Sequence, residues 1–272
     1  MKAPFSSYLS EIAPALKTVI GLLGKEYDYV SILSTDSRGF AVSISRNAKT
    51  VRGRTMTTER GSVVRVAKDG LYSEYAFNEF DPEKAEELAR TIKESLDRQL
   101  LVLKAAGTRV YETGLLPDEP CELLCEMETG SLPEETDFDA LIALLTGVSD
   151  KAIETGAHVI ECSVVAQSTH ICKLFLTKNR DMRQSYVYSE GVVAPVGARD
   201  GRTEMGRSSL SGRVGPELFL ELPGKVEEAV RIAEELLVSE RMVPGEYEVI
   251  TSPEVTISFL AAAMPIPFRR LT

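Results

Sequence analysis

No apolar run in the sequence approaches the ~20 residues that a membrane-spanning helix needs. Residues 1–10 lack the layered charge and hydrophobicity of a secretory signal. Thiols and imidazoles are scarce, with four cysteines and two histidines in 272 residues. Four cysteines without a secretory signal do not make a disulfide framework, so reduced thiols and a cytoplasmic location are expected. A basic surplus is also missing: 31 Lys and Arg stand against 41 Asp and Glu, a net charge of −10. Such a balance disfavours nucleic acid as the main partner, because phosphate binding needs a basic face. There is no repeat at a fixed period and no low-complexity tract. What remains is 43% hydrophobic and 26% charged, ordinary for a globular protein. The length allows one large domain or two small ones, with a substantial core.

The clearest local signal is at residues 59–78. Val64 and Val66 alternate with Val63, Arg65 and Ala67, then Asp69-Gly70 intervenes, and Leu71, Ser73, Tyr75 and Phe77 share one side of a second run. Asp-Gly between alternating runs predicts a hairpin, since a type I′ turn needs positive φ at both central residues. Asp81-Pro82-Glu83 then provides an N-cap, a first-turn proline and an early acid for a helix to about Ala105. Upstream, Leu9, Ile12, Ala13, Leu16, Val19, Ile20 and Leu23 predict a helix over 6–23 that stops at Gly24. Strands are predicted at 27–34, 40–46 and 48–57, with a turn at Asp36-Ser37-Arg38-Gly39. Residues 106–136 have little periodicity and several Gly and Pro, which marks a domain boundary. A helix capped by Thr136-Asp137 follows, then strands at 158–167, 171–177 and 182–193. Gly197–Gly215 reads as a long flexible loop or a hairpin, 224–238 as an amphipathic helix, and 247–251 as a strand. The fold class is therefore α+β, built as two small units, each a sheet with packed helices.

Candidate chemistry is sparse. Cys121, Cys125, His158, Cys162, His170 and Cys172 are the only thiols and imidazoles. His158 and Cys162 share one face of a predicted strand at about 13 Å, too far apart to chelate together. His170 and Cys172 also share a face, but one pair is not a metal site. Buried or half-buried strand residues are the favoured description of these groups. Glu134, Glu135, Asp137 and Asp139 precede or open a helix, where carboxylates complement its dipole. Arg46, Lys49, Arg52, Arg54, Arg60, Arg65 and Lys68 divide between strand faces without interleaved aromatics, as on a solvated sheet. The glycine-rich stretch 197–215 lacks the Lys-Ser/Thr ending of a phosphate loop. Its Arg199, Arg202, Arg207 and Arg213 suit an acidic peptide or partner chain.

The succession Glu59-Arg60-Gly61, Val64-Arg65-Val66, Asp69-Gly70, Ala76 and a helix resembles the N-terminal domain of the TldD/PmbA proteins, metallopeptidases also known as modulators of DNA gyrase. Two positions depart from that pattern: Val63 and Ser73 stand where the family usually has glycine. Leu176-Thr177-Lys178-Asn179-Arg180-Asp181 and residues 225–255 look like the family's central domain and its junction, so the resemblance spans Tyr27 to Val255. It implies an N-terminal domain at 1–106, a central domain at 107–242, and at 243–272 a stub of the junction to a missing catalytic domain. In the family a helix bearing His-Glu-x-x-x-His follows, suited to zinc and an activated water. Here Thr256 to Pro265 contain neither His nor Glu, so no catalytic, cofactor-binding or metal-binding residue carries over. Zinc is expected only in a full-length family member. The apolar, proline-broken end reads either as a truncation or frameshift of a longer gene, or as a short helix packing on the domain. The resemblance implies the substrate-enclosing, dimer-forming part of a zinc metallopeptidase acting on unfolded peptides, inactive alone. Peptide would be held by strand addition to a sheet edge. The alternative is a non-catalytic interaction module that pairs with an active homologue; a DNA-associated regulator is disfavoured by the charge.

Overall fold

The structure, a computed structural model, describes residues 1–55, 59–78, 81–105, 117–240 and 243–251. Met1–Val238 form one compact unit and Ser239–Thr272 a second. The chain is α+β, with four α-helices and a mixed sheet of nine strands among the described residues of the first unit. The strands are β1 (Tyr29–Ser45), β2 (Ala48–Arg52), β3 (Arg60–Lys68), β4 (Leu71–Phe77), β5 (Cys121–Glu126), β6 (Val159–Thr177), β7 (Arg180–Arg199), β8 (Arg202–Met205) and β9 (Ser208–Gly212). The helices are α1 (Ser7–Leu23), α2 (Ala85–Ala105), α3 (Phe138–Thr155) and α4 (Val226–Val238). The main path of the sheet runs β4-β3-β1-β6-β7-β5, with β2 added to β1 and β8 and β9 added to β7. Every pairing is antiparallel except β5 with β7. No helix among the described residues is long and apolar enough to cross a membrane.

Local chemistry sets the element ends. Ser6 Oγ accepts from Leu9 N at the start of α1, and Gly24 N donates to Ile20 O at its end. Pro14 lies inside α1 and does not delay its start. Asp81 accepts from Glu83 N, and the chain enters α2 through a 3₁₀ turn at Pro82–Lys84. Asp137 accepts from the backbone of Asp139 and Ala140 and caps α3. Asp69 and Gly70 have φ of 52° and 77°, the type I′ geometry expected between β3 and β4. Asp200 and Gly201, at 51° and 78°, repeat it between β7 and β8. The glycine-rich stretch is therefore a hairpin and a further strand rather than a long loop.

Three strands are longer than expected. Asp36-Ser37-Arg38-Gly39 is no turn: β1 runs unbroken through it, paired with β3 up to Asp36 and with β6 from Ser31 to Ile44. The two strands predicted within 158–177 are one, β6, and the strand predicted at 182–193 extends to Arg199 as β7. Residues 121–126, within a stretch read as irregular, form β5. The segment 247–251, predicted as a strand, has no regular structure; in that second unit Tyr247 Oη donates to Val243 O at 2.6 Å. The domain boundaries expected near residues 106 and 242 lie outside the described residues. So do residues 256–265.

The two larger hydrophobic cores lie on one face of this sheet, and a small third cluster gathers Ala3, Leu132 and Val187. Alternate residues of a strand share a face, and the even positions of β1 and β6 serve both cores. Val30 and Ile32 of β1 and Leu174 and Leu176 of β6 pack with Val64 and Val66 against α1 and α2. Phe40, Val42, Ile44, Val164 and Ala166 pack against α3, α4 and the 3₁₀ segment Pro216–Lys225. Between the cores the same face turns polar at Ser34, Asp36, Ser168, His170, Ser185 and Ser189, all buried. Each is satisfied: Ser34 Oγ lies 2.7 Å from Ser62 Oγ, Ser168 Oγ lies 2.8 Å from Ser189 Oγ, and Asp36 receives Arg60 Nε at 2.9 Å and Ser6 Oγ at 2.6 Å. This polar seam is what the predicted turn mistook for a break. Residues 1–5 cover it, pinned by Ala3 N to Met127 O (2.8 Å), Thr129 N to Met1 O (2.8 Å) and Phe5 N to Glu126 Oε1 (3.0 Å).

Candidate functional site

Two places gather chemistry: the open edge of the sheet at β5, and the middle of the polar seam. At the edge, β5 pairs only with β7 among the described residues, and Cys121–Cys125 are all exposed. Cys121 N donates to Asn179 O (3.1 Å) and Met127 N to Ser185 O (2.9 Å), so odd-numbered residues face β7. The N–H and C=O of Glu122 and Leu124 therefore point away from the sheet, since backbone groups alternate sides along a strand. Leu123 and Leu124 remain 49% and 56% exposed. A bare edge with large apolar side chains is a template for another strand. Beside it lies a cavity of about 510 Å³ lined by Lys17, Ile20 and Gly21 of α1 and by Cys121, Glu122 and Asp181 among others. Lys17 spans its wall to Asp181 at 2.6 Å, and Arg183 adds a second bond to that carboxylate at 2.8 Å. These two cations, Arg183 foremost, hold the Asp181 carboxyl below its ordinary range. One flank of the edge thus offers a cleft against a helix, with the Asp181 carboxylate already paired.

In the seam, His170 Nδ1 lies 2.8 Å from Glu134 Oε1, and its Nε2 lies 2.8 Å from Ser185 Oγ and 3.7 Å from Cys172 Sγ. Glu134 reaches the ring from the 3₁₀ turn Pro133–Glu135, so its role is to hold an imidazole rather than to open α3. Asp137 alone among the four acids caps that helix. Burial of the ring opposes its charge, but Cys172 and the Glu134 carboxylate outweigh burial and push His170 up to about 9. Burial likewise opposes the charge of Glu134, yet the bond from His170 leaves its carboxyl below the ordinary value. The signs fix a pH window. Stability from a raised histidine is complete below about 6.5 and lost as pH climbs through about 9. Stability from the depressed Glu134 is present above about 4.5 and lost as pH falls. Proton NMR of the imidazoles, assigned with His158→Gln, should show His170 titrating well above 6.5. Glu134→Gln should bring it down by about one unit or more; an unchanged titration would remove Glu134 from the pair.

The other residues singled out by sequence disperse. His158 Nδ1 meets Glu234 Oε2 at 2.6 Å at the far end of β6, and Cys162 is buried with its thiol pushed up to about 11 by burial. Cys121 and Cys125 are exposed on β5. Arg60 pairs with Asp36, Arg65 with Glu74 (2.5 Å), Arg202 with Glu204 (2.9 Å) and Arg199 with Asp200 (3.4 Å). Arg213 lies 4.9 Å over Tyr186 and Arg46 donates to Ile160 O, while Arg52 and Arg54 line a cavity of about 670 Å³ on the opposite face of the sheet. The described residues do not fit zinc: no three His, Cys, Asp or Glu converge among them, and the His170 ring stands between its carboxylate and thiol neighbours rather than beside them.

Against known proteins, neither a family model nor a curated protein matches the sequence. Solved structures do. A protein described as a modulator of DNA gyrase from Bacteroides thetaiotaomicron superposes with a TM-score of 0.69 at 12% identity, over 95% of this chain and 56% of its own. TldE from Thermococcus kodakarensis gives 0.56 at 19% identity, over 81% of this chain and 47% of its own. A protein described as a modulator of a DNA gyrase from Thermotoga maritima gives 0.57 at 17% identity, over 86% and 50%. The chain shares their fold. It spans about half the length of each of them.

Proposed function

We propose that the chain is the peptide-holding, chain-pairing portion of a TldD/PmbA-like peptidase system in the cytoplasm. The observation that carries this is the fold shared over 95% of the chain with a modulator-type protein, in agreement with the ordered motifs from Glu59 to Val255. An unfolded peptide is held at β5, where the outward N–H and C=O of Glu122 and Leu124 accept a new strand and Leu123 and Leu124 contact its side chains. Backbone pairing reads little sequence, as a protein handling unfolded chains requires. Hydrolysis is not assigned to this chain. Its two histidines are bound to Glu234 and Glu134, and no His-Glu-x-x-x-His occurs in its sequence. The same observation favours a second reading, in which the chain is a non-catalytic module that pairs with a zinc-bearing homologue.

Leu124→Pro tests the peptide site. Proline removes the outward N–H at 124 while leaving the inward bonds of β5 in place. Fluorescence anisotropy with a labelled, unstructured peptide should show at least a tenfold loss of affinity. The thermal midpoint should change little. Unchanged binding by a folded Leu124→Pro protein would remove β5 from peptide recognition.

A further inference from the structure

The His170 cluster has no part in holding a peptide at β5, yet it joins a nucleophile to a charged ring at a cavity. The hydrogen-bond directions set the charge of that ring. The Pro4 carbonyl can only accept, so Ser185 Oγ donates to it at 3.1 Å. Ser185 Oγ therefore receives the Nε2–H of His170, while Glu134 receives the Nδ1–H. With the hydroxyl so oriented both ring nitrogens donate, which is the imidazolium form that the raised pKa of His170 favours at neutral pH. Its positive edge lies 3.7 Å from Cys172 Sγ, and the Ser185 hydroxyl lies 3.5 Å from the same sulfur. Cys172 and His170 line a cavity of about 190 Å³ with Pro4, Ser6, Arg38 and Glu134. The other three cysteines lack this setting: Cys162 is buried with a raised thiol, and Cys121 and Cys125 stand exposed, away from both imidazoles, which are bonded elsewhere.

The geometry points to Cys172 as a thiol-modification site that takes small peroxides, with His170 as its positioning and proton-donating partner. A cation beside a thiol favours the thiolate, which is the reactive form. The thiolate sulfur attacks one peroxide oxygen and forms an S–O bond as the O–O bond breaks. The sulfur is oxidised by two electrons to sulfenic acid. The departing hydroxide takes the proton from His170 and leaves as water, so charge and atoms balance. The cavity, at about 190 Å³, has room for a molecule the size of hydrogen peroxide. The charged groups around the sulfur are Glu134 from the 3₁₀ turn, Arg38 and Asp36 from β1, and Arg60, which neutralises Asp36. Residues 6 and 7 at the start of α1 add no charge.

Hydrogen peroxide followed by dimedone, with peptide mass spectrometry of the full chain at pH 6, tests the site. The four cysteines serve as internal standards. Dimedone should label Cys172 at least tenfold faster than Cys121, Cys125 or Cys162. His170→Gln should bring the Cys172 rate down to that of the exposed pair, and Glu134→Gln should slow it by a smaller factor. Circular dichroism shows whether each variant is folded. Should His170→Gln unfold, Glu134→Gln decides alone. Cys172 labelling no faster than the exposed pair in the folded protein would overturn the assignment, as would a rate indifferent to both substitutions.

Discussion

Gly39→Ala should cost on the order of 3 kcal/mol of folding stability. The reason is room: a Cβ at position 39 would lie 2.4 Å from Ser168 O and 2.9 Å from Thr169 Cα. Both obstacles are backbone of β6, the strand against which β1 lies along most of its length, so neither can swing aside like a side chain. Relief requires β1 and β6 to part at Gly39, beside the Arg38–His170 pair of the seam. Urea unfolding would measure the loss as a lower midpoint. A companion at Gly21, where nothing lies within 4 Å of an added Cβ, should be neutral or slightly stabilising, because alanine favours the helix. Equal effects of Gly39→Ala and Gly21→Ala would show that steric exclusion at the β1–β6 contact is not the cause.

Glu217→Gln should cost about 2 kcal/mol at neutral pH, with a pH dependence of defined sign. The Glu217 carboxylate gathers Gly130 N at 2.7 Å, Ser131 N at 3.0 Å, Ser131 Oγ at 2.7 Å and Gly215 N at 3.2 Å. Partial burial opposes its charge, but these donors outweigh it and hold the carboxyl at about 2, against an ordinary 4.5. A depressed carboxyl contributes stability that is complete above about 4.5 and disappears as pH falls through about 2. Solvent screening at this partly exposed site keeps the figure below the full linkage value. Gln keeps one acceptor and turns an amide N–H₂ toward backbone donors. The wild-type advantage over the variant should be greatest at pH 6–7 and should shrink toward pH 2. An advantage that stayed constant with pH would mean that the charge of Glu217 contributes nothing.

Much of the fold was legible because local chemistry and global packing agree. Asp69-Gly70 could be read as a type I′ turn because few other pairs tolerate two positive φ values. The stripes of α1 and α2 could be read because each meets one continuous apolar surface. Legibility failed where the sheet departs from a single core. Asp36, Ser37 and Arg38 look like turn residues, but they occupy a strand that crosses from one hydrophobic core to another. Asp36 and Ser37 are buried and Arg38 is exposed; the partners Ser6, Arg60 and Glu59, distant in sequence, make the burial of the first two tolerable. β5 was invisible for the opposite reason: an edge strand with every residue exposed or nearly so has no alternation to detect. The His170 cluster was half legible. Its pairing with Cys172 follows from strand parity, whereas Glu134 and Ser185 arrive from other elements and look, in sequence, like a helix-dipole acid and an ordinary serine.

The order of the strands has a consequence for how the chain is made. β1 is paired on one side by β3, which follows it closely, and on the other by β6, which lies more than 100 residues further along. At ribosomal speeds of 5–20 residues per second, about 10 s of synthesis separates β1 from the partner that closes its long side. During that interval α1, α2 and the strands from β1 to β4 can pack together while the β6 side of β1 stays open, with Ser34 already paired to Ser62 and Asp36 to Arg60 and Ser6. Those polar residues make the nascent edge less prone to pair with a neighbour's, as inward charges do on finished edge strands. The seam thus has a second use in time: it protects half a sheet that must wait for the other half to be translated.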